Sequence, residues 1–354
     1  MRGSKSKKAS LKRLGRITRK TVTMAKADLI QAKPLFPNKS LPLLVQPASG
    51  VLNLVDWAKS NTEFIEKNLS QHGAILFRNF VVDGLTGFEQ FIRTVSGQLL
   101  EYKERSSPRS QVKGNVYTST DYPADQSIFL HNENSYQSTF PLKIFFFCVT
   151  PPKRGGETPI ADCRQVLQRL DPIVRERFVD KQCLYVRNFG NDMGLSWQTV
   201  YQTTNKADVE AHCRRAGTKF EWLDGDRLRT YSVRPAIEKH PKSGEMIWFN
   251  HATFFHISTL PQTIREALLA EFDEADLPAN TYYGDGLPIE PEVLEQLRDA
   301  YHQETVMFPW QKGDVLMLDN MIAAHARQPF EGPRKIVVGM SEPYSRENKY
   351  PFMT

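Results

Sequence analysis

The sequence predicts an α+β protein in which a β-sandwich or barrel carries a helical insertion. Strand patterns gather at both ends of the folded body, beginning with SIFLHNENSYQ and KIFFFCVTPP and closing with GDVLMLDNMIAAHARQPF and RKIVVGMSEPY. Between them the apolar residues recur at helical spacing, as in PEVLEQLRDAYHQET. This order favours one β-rich body with the helical insertion at about residues 199–304.

The elements before this body follow the same logic. VDWAKSNTEFIEKNLSQHG predicts helical structure with Asn61 or Thr62 as a cap and a stop at Gly73. AILFRNF predicts a short buried strand, and GLTGFEQFIRTVSGQLL predicts a second amphipathic helix. Residues 105–127 are polar and loop-like, and a loop of that length in a compact domain is usually functional. We therefore expect a basic tail and linker over residues 1–45 and a single domain over residues 46–354.

Charge and cysteine usage narrow the class of protein. Nine Lys and Arg lie within residues 1–20, a stretch without Asp or Glu, so the net charge of +6 leaves about −3 for the rest of the chain. A tail of this kind is most often solvated, although it could attract nucleic acid or an anionic surface. The four cysteines form no CxxC pair, no apolar run approaches the length of a membrane span, and a cytoplasmic location is expected.

Two His-x-acid triplets raise the question of a metal site. His302 and Glu304 end a helical pattern, so their side chains point about 200° apart and cannot hold one ion. His131 and Glu133, in HNENSYQ, follow the apolar run SIFL, and residues i and i+2 of an extended chain share a face. The second pair is therefore the candidate.

A ferrous ion bound by two histidines and one carboxylate needs another histidine downstream. His240 lies in the turn EKHPKSG and is expected to be solvated, while His251 and His256 lie among aromatic residues and are equally consistent with a buried core. His325 is favoured because Arg334 opens the next strand after a tight turn. An arginine there suits the distal carboxylate of a chelating 2-oxo acid.

At these residues the chain resembles the TauD/TfdA-like family of Fe(II)/2-oxoglutarate-dependent dioxygenases. The matching motifs are HNE at 131–133, GGETPIAD at 155–162 and LDNMIAAHARQPFEGPRK at 318–335, and the resemblance covers roughly residues 65–345. It implies a double-stranded β-helix, or jelly roll, with the helical insertion between the metal motifs. It also implies Fe(II), 2-oxoglutarate and O2 as cofactor and co-substrates.

Carried over by motif, the resemblance implies that His131, Glu133 and His325 are the catalytic iron ligands and that Thr158 and Arg334 bind 2-oxoglutarate. Arg327 is a weaker candidate for the second role because it precedes the turn. Many relatives have Asp where this chain has Glu133. Related halogenases replace the carboxylate with a small residue, so Glu133 favours hydroxylation or desaturation over chlorination.

Several longer sequence segments, among them LHNENSYQSTFPLKIFFFC and WFNHATFFH, resemble segments of the SyrP-like hydroxylases of nonribosomal peptide pathways. This implies an amino-acid substrate, of aspartyl type, carried on a thiolation domain in secondary-metabolite biosynthesis. Two alternatives stay open. One is a dioxygenase of a free small acid such as an amino acid or sulfonate, and the other is a protein that binds nucleic acid or an anionic surface through its tail, which the acidic body disfavours.

An anionic substrate would need cations near the mouth of the site. The loop predicted over residues 105–127 offers Arg105, Arg109 and Lys113, although a solvated charge is the more ordinary interpretation of each one taken alone. The segment WFNHATFFH contributes further candidates for the pocket wall, namely Asn250, His251 and Phe255.

Overall fold

The larger of two facing sheets has eight strands. The computed structural model describes residues 29–101, 109–190 and 195–346, so the basic tail predicted at residues 1–20 lies outside the described residues. The strands of this sheet are β1 Ile30–Pro34, β2 Leu43–Pro47, β3 Ala74–Phe77, β4 Gln111–Lys113, β5 Val116–Thr118, β7 Thr139–Thr150, β17 Val315–Asp319 and β20 Lys335–Ser345. Their spatial order is β1-β2-β3-β17-β7-β20-β5-β4, and only β2 and β3 are parallel neighbours.

Strand β7 explains how the sheet is buried on both faces. Its apolar run alternates, so Phe145 and Phe147 pack into one cluster of buried residues while Ile144, Phe146 and Cys148 pack into another. A period of two along a strand sends successive side chains to opposite faces. The continuous apolar run therefore belongs to a central strand covered on both sides.

The smaller sheet lies over one face of the larger one. Its four strands are β6 Ile128–His131, β9 Ile160–Asp162, β16 Thr305–Val306 and β18 Ala323–Arg327, in the order β16-β9-β18-β6. Side chains from the two sheets, including Phe146, Ile160 and Ala323, share one core. The paired sheets form the double-stranded β-helix that the resemblance implied, which confirms the expected fold.

Three helices cover the other face of the larger sheet: α1 Leu54–Lys59, α2 Thr62–His72 and α3 Gly84–Ser96. Asn53 caps α1 by accepting hydrogen bonds from the amides of Val55 and Asp56. Helix α2 ends at Gly73, whose φ of 71° lies in the left-handed region that glycine tolerates. The helical segment consists of two helices separated by a break at residues 60–61, and Asn61, one of the two expected caps, precedes α2.

The insertion differs from the expectation in extent and composition. All of residues 163–304 lie between β9 and β16, and they include a four-stranded sheet in addition to helices. The expectation of a helical insertion at 199–304 was too short and too helical, because residues 183–189 form a strand that pairs with residues 227–234 and 279–283, far along the sequence. The insertion contains β10 Cys183–Phe189, β11 Lys219–Leu223, β12 Arg227–Arg234, β13 Ile237–Lys239, β14 Met246–Trp248, β15 Ala279–Tyr283, α4 Cys163–Arg169, α5 Pro172–Lys181, α6 Trp197–Tyr201, α7 Lys206–Arg215, α8 Ala252–Phe255, α9 Gln262–Glu271 and α10 Pro291–Glu304.

The boundary at residue 45 also moves. Strands β1 and β2 pair along five residues each, and β2 continues into the sheet beside β3, so residues 30–47 belong to the folded body and not to a linker. A short two-stranded pair, β8 Arg154–Gly155 with β19 Phe330–Glu331, completes the strands. Among the described ranges, no helix is long and apolar enough to cross a membrane.

The aromatic layer between β7 and α3 makes a first prediction. Phe145 is fully buried and its ring lies 6.1 Å from that of Phe91. Phe145→Ala should lower the free energy of unfolding by about 3–5 kcal/mol, because it removes a large apolar side chain and leaves a cavity. Urea denaturation measures the change. Val51→Ala, at a position 86% exposed, should stay within about 0.5 kcal/mol of wild type, and an equal loss in both variants would contradict this account.

Candidate metal centre and co-substrate site

The two candidate histidines stand opposite each other on neighbouring strands. His325 of β18 pairs in register with His131 of β6, and their ring centroids are 4.4 Å apart. Glu133 lies two residues beyond His131, just past the end of β6. One ligand atom from each of these three side chains lies within 4.8 Å of the other two, so the structure brings the predicted triad together.

Hydrogen bonding and burial prepare the imidazoles for a metal. His131 Nδ1 lies 2.9 Å from the carbonyl oxygen of Phe129, so this nitrogen carries the proton and Nε2 keeps its lone pair. Burial lowers the pKa of His131 and lowers that of His325 well below 6.5, with the positive charge of Arg109 adding a smaller effect at both. Neutral imidazole is the form that ligates a metal, so the donor set fits a divalent ion.

Glu133 carries the only negative charge of the triad and is paired with an arginine. Arg109 Nη2 donates to Glu133 Oε2 at 2.6 Å, and the same oxygen lies 3.9 Å from His325 Nε2. The side chains of Arg109 and Glu133 are 4% and 2% exposed. Of the three cations expected on the loop, Arg109 therefore reaches the site. Lys113 is exposed and bonds to Thr86, and Arg105 lies outside the described residues.

The backbone of Glu133 is held by one side chain, that of Asn320. Asn320 Oδ1 accepts a hydrogen bond from the Glu133 amide at 2.8 Å, and Asn320 Nδ2 donates to the Glu133 carbonyl at 2.9 Å. Nδ2 also donates to the Pro141 carbonyl at 2.8 Å. All of these atoms are buried. Asn320 thus supplies the two bonds that a neighbouring strand would otherwise give to this residue.

Asn320 is itself positioned by a turn that the insertion supports. Asp319 Oδ1 accepts from the amides of Met321 and Ile322, which closes the turn between β17 and β18. Asp319 Oδ2 lies 3.1 Å from His240 Nε2. His240 is 1% exposed, so the expectation of a solvated histidine was wrong. Its turn is local, but its partner lies 79 residues away and no sequence pattern marks it.

The residues expected to bind the co-substrate lie at one corner of the fold. Arg334 Nε donates to the Gly156 carbonyl at 2.9 Å and Nη1 to Ser119 Oγ at 3.2 Å. Burial lowers the pKa of Arg334 to about 10, so its guanidinium is still charged at neutral pH. Thr158 is buried two residues after Gly156, and its hydroxyl accepts from Trp310 Nε1 at 3.2 Å.

Gly156 is required by this packing. Its φ is 71°, and a Cβ there would come within 3.0 Å of side-chain atoms of Phe330, Pro152 and Arg334. Arg327, the weaker candidate, is occupied differently. It is buried and donates to the backbone carbonyls of Tyr122, Pro123 and Gln126, so it fixes the segment before β6.

The expected pocket wall is formed in part by other residues. Phe254, which the sequence did not single out, stacks on His131 with ring centroids 4.5 Å apart. His251 is buried beside it, 5.8 Å from the His131 ring, and bonds to Ser135. Phe255 packs on His251 at 4.8 Å. The side-chain amide of Asn250 instead donates to the Ala236 carbonyl and accepts from the Ala252 amide, so its role is structural.

The sequence matches a known protein family over most of its length. The model of the taurine catabolism dioxygenase TauD, TfdA family matches residues 33–340. The chain belongs to the TauD/TfdA family. This confirms the resemblance read from the sequence, and it makes the chain a 2-oxoglutarate-dependent dioxygenase. The match begins at residue 33, inside the segment that the sequence predicts as a linker, in agreement with the positions of β1 and β2.

Curated relatives cover most of the chain. The chain is 40% identical over 279 residues to the dapdiamide synthesis protein DdaC of Enterobacter agglomerans. The aligned region covers 79% of this chain and 85% of that relative. The chain is 30% identical over 315 residues to a clavaminate synthase-like protein of Arabidopsis thaliana, spanning 86% and 91%.

Solved structures show the same fold at low identity. PvcB from Pseudomonas aeruginosa superposes with a TM-score of 0.54 at 15% identity, covering 93% of this chain and 95% of that one. AAD-2 in complex with Mn(II) and N-oxalylglycine gives 0.52 at 11% identity, covering 88% and 96%. A PvcB structure is described as that of an Fe, alpha-ketoglutarate-dependent oxygenase from an isonitrile synthetic pathway.

The Asn320 bonds predict a large effect on stability. Asn320→Ala should lower the free energy of unfolding by about 3 kcal/mol or more, because buried backbone groups of Glu133 and Pro141 lose their partners. Chemical denaturation measures it. Asn68→Ala removes one bond from an amide to the Phe64 carbonyl at a half-buried helix position and should cost about 1 kcal/mol or less. Equal costs would show that the Asn320 bonds carry no special weight.

Burial of His251 predicts how stability depends on pH. Its pKa lies well below 6.5, so the folded protein keeps it neutral while the unfolded chain takes up a proton below about pH 6.5. The unfolded state then binds more protons, and stability falls with falling pH at up to about 1.4 kcal/mol per pH unit for such a group. In metal-free protein, His251→Gln should make the slope between pH 6.5 and 5 shallower. The exposed His302→Gln should keep the wild-type slope.

Proposed function

We propose that this dioxygenase hydroxylates an amino-acid substrate, an aspartyl-type residue tethered to a carrier protein, in secondary-metabolite biosynthesis. The observation that carries the oxidative chemistry is the buried grouping of His131, Glu133 and His325. The 40% identity to a protein named for dapdiamide synthesis supports the biosynthetic setting. The sequence segments that resemble SyrP-like hydroxylases support a substrate that is an amino acid tethered to a carrier protein.

His131 Nε2, His325 and the Glu133 carboxylate would hold the ferrous ion. Two neutral imidazoles and one carboxylate leave positions open for a co-substrate and oxygen. When bound, iron supplies the activation of oxygen that oxidises 2-oxoglutarate and a substrate C–H bond. The overall reaction places one oxygen atom in the substrate hydroxyl and the other in succinate, with loss of CO2. The carboxylate of Glu133 supports hydroxylation, because it occupies the position that a chloride would need.

Arg334 and Thr158 would bind the distal carboxylate of 2-oxoglutarate. Arg334 is charged, and among the described residues its guanidinium donates to one backbone carbonyl and one hydroxyl. Since a guanidinium has five N–H donors, others can bind an anion. Thr158 Oγ accepts from Trp310, which leaves its own proton directed elsewhere. Arg327 would not take part, because carbonyl oxygens of residues 122–126 hold it.

The aromatic wall would exclude water and orient the substrate. Phe254 covers the face of His131, and Phe255 with Tyr136 encloses His251. The rings place low-dielectric surface next to the triad, which protects a reactive centre from side reactions. The C–H bond to be oxidised would lie against this wall.

The function is tested by anaerobic titration of the full chain with Fe(II) and 2-oxoglutarate. The expected result is a weak visible charge-transfer band that is absent from His325→Ala. Under oxygen, aspartate loaded on a carrier protein should then give succinate and hydroxylated product in equal amounts. Turnover of free aspartate alone would favour the alternative, a dioxygenase of a free small acid. Absence of the band from metal-loaded wild type would exclude the proposed metal site.

Loss of the Arg334 guanidinium should weaken co-substrate binding. Arg334→Gln is expected to raise the dissociation constant for 2-oxoglutarate by about 10- to 150-fold, since a charge-assisted hydrogen bond to a carboxylate is lost. The affinity for Fe(II) alone should stay close to wild type. Thr158→Val should have a smaller effect in the same direction. An equal loss of Fe(II) binding in Arg334→Gln would indicate a structural role only.

A further inference from the structure

Three nitrogen-bearing side chains meet around Ser258, in the connection between α8 and α9. Arg298 of α10 donates from Nη1 to Ser258 Oγ at 3.0 Å. His256 Nδ1 lies 2.8 Å from the same hydroxyl and accepts from the Ser258 amide at 3.1 Å. Arg265 of α9 is close enough for its charge to act on His256. All three side chains are half-buried. We call His256, Arg265 and Arg298 the Ser258 cluster.

His256 contributes a neutral N–H group to the cluster. Burial, with repulsion from Arg298 and Arg265 added to it, lowers the pKa of His256 to about 4. Because Nδ1 accepts from the Ser258 amide, the single proton of the neutral ring is on Nε2. The positive charge of the cluster therefore comes from the two arginines, and His256 adds a hydrogen-bond donor.

The two arginines of the cluster have no carboxylate partner among the described residues. Arg298 bonds to the Ser258 hydroxyl, and neither it nor Arg265 forms an ion pair there. Elsewhere in the insertion arginines are paired, as Arg177 is with Glu290. Neighbouring like charges repel, so an anion bound between them would stabilise both. The cluster offers donors and positive charge without an anion of its own.

Two packing contacts place the cluster at the edge of the metal site. Phe254, on the short helix that ends at the cluster, stacks on His131 with ring centroids 4.5 Å apart. Helix α10, which carries Arg298, packs the ring of His302 at 6.0 Å from that of Phe129, two residues before His131 on β6. A ligand held at the cluster would therefore lie near the metal ligands without replacing one.

We infer that the Ser258 cluster binds the phosphodiester of a carrier protein's pantetheine arm. This inference rests on the proposed function and names the part of the partner that the enzyme would recognise. A carrier protein holds its amino acid as a thioester at one end of this arm, and a phosphodiester joins the other end to the carrier. The phosphodiester has one fixed negative charge and two free oxygens, which suit arginine N–H groups and one further donor.

The position of the cluster favours the arm over the amino acid. The amino acid has to reach the metal ligands, whereas the phosphodiester is separated from it by the whole length of the pantetheine. An anion-binding group that serves the arm must therefore lie beside the metal site and still be open to solvent, where the carrier itself remains. Half-buried arginines at the edge of the site meet both conditions.

Three probes separate the parts of the tethered substrate. They are L-aspartate, L-aspartyl pantetheine, and L-aspartyl pantetheine that carries a methyl phosphodiester at its other end, the last two as amide analogues that do not hydrolyse. Calorimetry would measure their binding to the full chain with Fe(II) and 2-oxoglutarate in the absence of oxygen. The variants are Arg298→Gln, Arg298→Lys and Arg265→Gln. Arg93→Gln is the matched control, since Arg93 pairs with Glu89 on α3, a helix on the other face of the larger sheet.

Wild type should bind the phosphodiester probe about tenfold more tightly than L-aspartyl pantetheine, because charge-assisted hydrogen bonds to the phosphate are gained. Arg298→Gln and Arg265→Gln should each lose most of this difference while keeping the wild-type affinity for L-aspartyl pantetheine. Arg298→Lys should keep part of the difference, and Arg93→Gln all of it. The difference should also become smaller as the salt concentration rises.

Equal affinity of wild type for the two pantetheine probes would overturn the inference, and so would a difference that both glutamine variants retain. Inorganic phosphate that binds as tightly as the phosphodiester probe would overturn it too, because the cluster would then be a site for a free anion. Arg265→Gln decides the question if Arg298→Gln does not fold, since Arg265 has no side-chain hydrogen bond to another described residue.

Failure of the proposed function would look different from failure of this inference. If the metal site were wrong, the charge-transfer band of Fe(II) and 2-oxoglutarate would be absent before any probe is added. If the substrate were a free acid, L-aspartate would bind to wild type as tightly as L-aspartyl pantetheine. If only the inference were wrong, the band would form and L-aspartyl pantetheine would bind more tightly than L-aspartate, but the phosphodiester would add nothing.

Discussion

The geometry of the candidate metal centre depends on the pair of hydrogen bonds between the Asn320 side-chain amide and the backbone of Glu133. His131 and His325 need no such help, since the ladder between β6 and β18 fixes their positions. Glu133 lies where that ladder has ended and has no strand partner. One amide replaces the missing strand by accepting from the Glu133 amide and donating to its carbonyl. Without it the backbone of Glu133 would lose two buried hydrogen bonds.

This dependence extends into the insertion. Asn320 sits in a turn closed by Asp319, and Asp319 is held by His240 from the connection between β13 and β14. The insertion therefore does more than add surface for a substrate. It contributes a buried histidine that supports the turn carrying Asn320, so the two motifs that bracket the insertion in sequence are joined through it in space. Packing of the insertion against the jelly roll therefore helps to hold the turn that positions Asn320.

The sequence predicted the local parts of this arrangement and missed the distant ones. His131 and Glu133 could be found because a two-residue spacing after an apolar run places both on one face. His325 and Arg334 followed from a strand, a turn and the next strand. His240 was misjudged because solvation was inferred from its turn, while its buried partner lies far away in sequence. Strands β10 and β15 were not expected, since they pair with each other across about a hundred residues and nothing near either strand in sequence indicates that partner.

The hydrogen bonds from Asn320 also explain why the length of the Glu133 side chain matters. Because Asn320 fixes the backbone, the distance that the carboxylate can cover is set by the side chain alone. Aspartate would withdraw it by about 1.5 Å, the length of one carbon–carbon bond. Glu133 Oε2 now reaches Arg109 at 2.6 Å and faces His325 Nε2 at 3.9 Å. A shorter carboxylate on this fixed backbone would give up one of these neighbours, so the glutamate, the amide that holds it and the buried arginine form one unit.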